Sequence, residues 1–147
     1  MKPFFAYPAD GEVFKLTLNG DASDNQPLAM VHTDGYTGKW KHNGRVVKGA
    51  QTCRFKLVAI GYCRDFEEVK RKLAPHGKIP EGQWRQAFKA SYRKPDGKGQ
   101  IGVADSSWSD PDGNAAFPCV HGYGRSGFDW VGSAFSGGWH WLVAVSE

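Results

Sequence analysis

Three groups of residues have types and spacings that chemistry can use. Cys119 and His121 stand two apart in NAAFPCVHG, so in an extended strand they share a face, and His140 supplies a second imidazole. A thiol beside an imidazole is the pair from which a nucleophile is activated, and one Cys with two His supplies three of the four ligands of a zinc site. The spacing supports neither, because no C-x-x-C or H-E-x-x-H accompanies them, and a Cys next to Pro118 in a short strand fits a small buried residue. Asp110-x-Asp112-Gly113-Asn114 has the head of a calcium loop without the bidentate Glu at its twelfth position, which leaves a plain turn as the simpler reading. Gly122 to Gly127 matches G-x-G-x-x-G, but no helix follows to present its N–H groups to a phosphate. No catalytic residue, metal or cofactor is expected on this basis, and a small enzyme using Cys119 and His121 is the third-ranked function.

Aromatic rings are the second resource. The closing stretch GFDWVGSAFSGGWHWLVAVSE holds Phe128, Trp130, Phe135, Trp139 and Trp141. Alternation puts Trp139, Trp141, Val143 and Val145 on one strand face and Phe128 with Trp130 on another, which is how a sheet buries its apolar side against a helix. Phe135 in GSAFSGG and Trp108 in ADSSWSDPDG have no stripe to join, and a loop Trp among Ser, Asp and Gly is suited to stacking on a sugar or a base. Trp108, Trp40 and Phe135 are therefore the candidate contacts of a small-ligand or carbohydrate-binding module, the second-ranked function.

Charge gives the first-ranked one. The net charge is only +4, but residues 39–98 hold 16 of the 19 Lys and Arg and 5 of the 15 Asp and Glu. Lys39, Lys41, Arg45 and Lys48 lie on or beside an expected hairpin, Arg54 and Lys56 on the next strand, Lys70, Arg71 and Lys72 on a first helix, and Arg85, Lys89, Arg93 and Lys94 on a second. Brought to one face, they would attract an acidic partner, protein or nucleic acid, without enzymatic chemistry. No nucleic-acid module signature accompanies the charge, so this expectation rests on electrostatics alone.

The elements that must position these residues read as follows. Phe14, Leu16 and Leu18 alternate with Lys15, Thr17 and Asn19 in a first strand. LAMVH, residues 28–32, leads to a turn at Asp34-Gly35, and Asn43-Gly44 between Trp40 and Val46-Val47 predicts a hairpin. TCRFKLVAIGYC is a strand that passes from a rim to the centre of a sheet, and it holds Cys53 and Cys63 too far apart to pair. In DFEEVKRKLAPHG, Asp65 caps a helix whose buried stripe is Phe66, Val69 and Leu73, with Glu67 and Glu68 facing Arg71 and Lys72; Pro75 and Gly77 end it. A second helix opens on Pro80, puts Trp84, Ala87, Phe88 and Ser91 on one face, and closes at Pro95 and Gly97. QIGVAD, NAAFPCV, FDWV and WHWLVAV are short strands after it.

At 147 residues, with 40% hydrophobic and 23% charged, the chain has apolar area enough to fold as one domain, 1–147. Strands, then helices, then strands predict an α+β fold: an antiparallel or mixed sheet of six to eight short strands, with two central helices packed on one face. An edge strand at 12–18 offers a route to a homodimer. Three cysteines form no disulfide framework, the apolar patch in MKPFFAYPADGEV is too short for a signal h-region, and no run approaches a membrane span, so a soluble cytoplasmic protein is expected, with no membrane partner.

Overall fold

Alternation sets the frame. β1 (Phe14–Asn19) buries every second residue and pairs antiparallel with β3 (Ala50–Val58), whose register places Phe14 opposite Phe55 and Lys15 opposite Arg54. These strands belong to a computed structural model that describes residues 7–94, 97 and 99–146; the apolar patch at residues 1–6 and the helix-closing Pro95 lie outside the described residues. β8 (His140–Val145) pairs with the other edge of β3. Beyond it come β4 (Ile101–Gly102), parallel to β8, and then β6 (Ala115–Val120). β6 is flanked by β7 (Ser126–Trp130) on one side and by β4 and β5 (Trp108–Ser109) on the other, and β2 (Lys41–His42) closes the path on β5. The result is a single α+β domain built on one eight-stranded mixed sheet. Among the described residues no strand covers the outer edge of β1.

Two helices, expected together on one face, divide between the two. Trp84, Ala87 and Phe88 of α3 (Trp84–Ser91) pack with Phe14, Leu16, Phe55, Leu57 and Leu142. Phe66, Val69 and Leu73 of α2 (Phe66–Leu73) pack with Val58, Trp141 and Val143, the alternate residues of the same strands. Both faces of the central strands are buried, so apolar residues run continuously through Trp141, Leu142 and Val143 rather than alternating. The chain changes face between the helices at Lys78, which exchanges both backbone hydrogen bonds with Ala144. Gly77 precedes it because a Cβ there would run into the Ala144 carbonyl oxygen.

α2 starts where its capping chemistry predicts. The Asp65 carboxylate accepts from the Glu68 N–H at 2.8 Å, and Glu68 reaches back to accept from the Arg64 N–H at 3.0 Å. The expected pairs with Arg71 and Lys72 four residues on become pairs three apart within the helix, Glu67 with Lys70 and Glu68 with Arg71, and Glu68 also faces Arg64 four residues before it at 3.9 Å. Asp65→Ala removes the cap acceptor and is expected to lower stability by about 1 kcal/mol in urea unfolding, while Asp65→Ser, which keeps an acceptor, loses little.

LAMVH, to which the sequence pattern assigns no element type, is helical: Pro27 occupies a first-turn position, where its missing N–H is harmless, and α1 (Pro27–Thr33) follows. Two local expectations are corrected. The hairpin at Asn43-Gly44 does not form, since neither residue has a positive φ and β2 pairs with β5 instead of with Val46-Val47. Gly44 is there for space, because a Cβ would meet the Ser107 side chain, and the Val47 N–H is taken by the buried Gln83 side chain at 2.7 Å. Finally, α3 begins at Trp84 rather than at Pro80.

Candidate functional site

The loop aromatics are not at the surface. Trp108 is 0% exposed: it lies on β5, donates its indole N–H to the Pro27 carbonyl at 2.9 Å, and has the His42 ring at 4.5 Å and the Phe128 ring at 5.4 Å. Trp40 joins the same cluster around α1, with Met30, Val31 and Phe128. Phe135 is buried against Phe66, Phe117, Trp139 and Trp141, and exchanges backbone hydrogen bonds with Cys63. Trp139 and Trp141 thus pack on the α2 side of the core. A platform made of Trp108, Trp40 and Phe135 has no open face, which removes the residues on which the small-ligand reading stood.

Cys119 is equally internal. It is fully buried on β6, and burial pushes its thiol up to about 12, so at neutral pH it is protonated and not a nucleophile. His121 stacks on exposed Tyr123 with rings 5.6 Å apart, and His140 pairs with Asp10 at 3.1 Å. Asp110 is spent on its own turn, accepting from the Asp112 and Asn114 N–H groups and from the Trp130 indole. Among the described residues no group of His, Cys, Asp or Glu is placed to hold a metal ion, and no helix is long and apolar enough to cross a membrane.

The basic residues are dispersed rather than gathered. Because α2 and α3 lie on opposite faces, Arg71 and Lys72 are separated by the sheet from Lys89, while Lys70 borders a cavity that also reaches Trp84. Arg85, expected on the basic surface, is 1% exposed and holds Asp34 at 2.5 Å inside the protein. Lys89 donates to the Gly124 carbonyl, and burial lowers its pKa. Lys70 and Arg71 face glutamates, Lys72 donates to the Tyr62 carbonyl at 2.9 Å, and Arg45 faces Glu81 at 3.5 Å. Lys39 and Lys41 are exposed at and beside β2, at the far end of the strand order from Arg54 and Lys56.

One cluster of unpaired cations remains. On the sheet side away from α3, β1 presents Lys15, Thr17 and Asn19, and β3 presents Thr52, Arg54 and Lys56. Lys15 stands directly opposite Arg54, where side chains leave the backbone only about 5 Å apart. Lys56 follows Arg54 on the same strand face, roughly 7 Å along. None of these three has an ion-pair partner among the described residues, and neither strand carries an acid. Like charges paired across strands repel, so this arrangement lowers the stability of the free protein unless an anion offsets it. Between them the Thr17 and Thr52 hydroxyls share a 2.8 Å hydrogen bond and add neutral donors. In the sequence Lys15 reads only as part of the polar face of the first strand, because it lies outside the basic segment 39–98; the alternation of β1 against that of β3 is the signal that joins it to Arg54 and Lys56.

Comparison with known proteins finds no matching family model, no matching curated protein and no matching solved structure.

Proposed function

We propose that this chain is a non-enzymatic binding protein whose β1–β3 face engages the phosphate backbone of a nucleic acid. The observation that carries the reading is the uncompensated set Lys15, Arg54 and Lys56 on two paired strands. Arg, Lys, Thr and Asn are the side chains that contact phosphates, and this face is made of them. Protein–protein interfaces rely on buried aromatic or aliphatic anchors, and none of Lys15, Thr17, Asn19, Thr52, Arg54 and Lys56 is one. With no aromatic ring among the described residues that β1 and β3 present on this face, binding is sequence-independent and electrostatic.

The test is fluorescence anisotropy on one labelled DNA, single-stranded and as a duplex, across a salt series. Three phosphate contacts give a slope of log K against log salt of about −2.7 on duplex and about −2 on a single strand. Lys15→Glu/Arg54→Glu/Lys56→Glu is expected to abolish binding, whereas Arg71→Gln, on the glutamate-paired α2, leaves it almost unchanged. Equal binding by the triple variant and the wild type, or binding to polyglutamate but not to DNA, overturns the proposal; the second outcome assigns the face to an acidic protein.

A further inference from the structure

A cavity of about 470 Å³ lies between the crossing segment 78–81, the 44–45 turn, β3 and the 104–107 segment, on different residues from the β1–β3 cations other than its shared strand. Its size falls in the range of sites that hold small organic molecules, roughly 300–1,000 Å³. Three cationic side chains from three separate parts of the chain line it: Arg45, Lys70 and Lys78. Two acids line it as well, and both are already engaged. Glu81 faces Arg45, and Asp105 accepts from the Gly82 N–H at 2.7 Å through one oxygen and from the Ser107 N–H and hydroxyl through the other. Lys78 has no carboxylate partner among the described residues, and the partner of Lys70, Glu67, is itself 82% exposed. With Arg45 on Glu81 and Lys70 on Glu67, Lys78 is the lining cation that no carboxylate offsets among the described residues. Gln51, Ser106 and Ser107 add neutral polar groups to the wall, and Phe55, Trp84, Pro80 and Ala104 form its apolar part, with Ile79 36% exposed at the same segment.

We infer that this cavity binds a small organic anion, with a phosphate or carboxylate head on Lys78 and Arg45 and an apolar body against the Ile79–Pro80 and Ala104 side. A head of this kind takes charge-assisted hydrogen bonds from Lys and Arg that a neutral analogue does not. The apolar body distinguishes the ligand from a bare inorganic ion. The sheet positions the site: the Lys78 backbone is fixed by its two bonds to Ala144, so its side chain is presented from a framework that loses nothing structural when shortened.

The test is a titration followed by amide chemical shifts, with phenyl phosphate and benzoate as the probes and phenol and inorganic phosphate as the half-probes. Saturable shifts confined to residues 78–81 and 104–107 are expected with one or both whole probes, and the tighter of the two identifies the head group. Phenol and phosphate are each expected to bind at least about tenfold more weakly, as is the better whole probe to Lys78→Ala. Lys15→Glu, which damages the nucleic-acid face, is expected to leave the titration unchanged, so the two readings stand or fall separately. Absence of saturation with both whole probes, or equal affinity in Lys78→Ala whose spectrum shows an intact fold, overturns the inference.

Discussion

Arg85→Ala is expected to lose about 3–5 kcal/mol of stability at neutral pH, measured by urea unfolding, because it strands a buried carboxylate. The Arg85 side chain is 1% exposed and that of Asp34 4%. All five guanidinium N–H groups have acceptors: two on Asp34 at 2.5 and 3.2 Å, one on the Gly127 carbonyl at 2.9 Å, and two on the Gln86 side-chain oxygen at 3.2 and 2.6 Å. The guanidinium carbon also lies 5.3 Å from the centre of the Phe128 ring. Burial raises the Asp34 pKa above the ordinary carboxylate value, and Arg85 is the main influence opposing that rise. Removing Arg85 leaves burial less opposed, so the folded variant holds its Asp34 proton to a higher pH than the unfolded chain does. Between the unfolded and the raised folded value the folded state binds more protons, and stability falls as pH rises through that window. The deficit is thus expected to be smallest in acid and fully developed at neutral pH. A deficit as large at pH 4 as at pH 7 would show instead that Arg85 acts through packing alone. Arg85→Met/Asp34→Leu, which removes both charges and keeps volume, is expected to recover most of the loss.

That buried pair also shows where sequence reading reaches its limit. The stripe at Trp84, Ala87 and Phe88 was legible from helical spacing, and so was the buried face of β1, because local periodicity specifies which side of an element is apolar; in β8 it was not enough, since Leu142, on the face opposite Trp141 and Val143, is buried as well. Arg85 was read as surface because charge next to a stripe is usually solvated. Its burial depends on Asp34, 51 residues away, which no local pattern encodes. The Asn43-Gly44 hairpin failed for a related reason: its turn propensity was outweighed by tertiary pairing, when β2 found β5 and Val47 found Gln83. The basic segment is the same lesson in charge. Sixty residues of excess Lys and Arg became two helix surfaces on opposite sides of a sheet, and the cluster left without partners gained its first member, Lys15, from outside that segment. Capping at Asp65, by contrast, is a contact between near neighbours and was readable in full.

Trp108→Ala is expected to cost about 3–5 kcal/mol, and the position is coupled to Gly82 in a way that tests the packing directly. The indole carries the weight of the α1 cluster: it joins β5 to the start of α1 through the Pro27 carbonyl and fills the space between His42 and Phe128. Its six-membered ring lies against the backbone of Gly82, where a Cβ would stand 2.5 Å from Cζ3 and 2.7 Å from the Pro118 Cγ. Gly82→Ala alone therefore overpacks the site, with an expected loss of about 1–3 kcal/mol. Trp108→Phe shortens the ring and opens the space the methyl needs, so Gly82→Ala/Trp108→Phe is expected to be more stable than the sum of the two single losses allows. Additive losses would mean that the Gly82 methyl is accommodated elsewhere, against the geometry. The same variant separates structure from binding. Because no face of Trp108 is exposed, Trp108→Phe measured at a temperature where it is folded is expected to bind DNA and phenyl phosphate as the wild type does. A selective loss of either ligand in a folded Trp108→Phe would return this tryptophan to the binding surface that its loop-like sequence context first suggested.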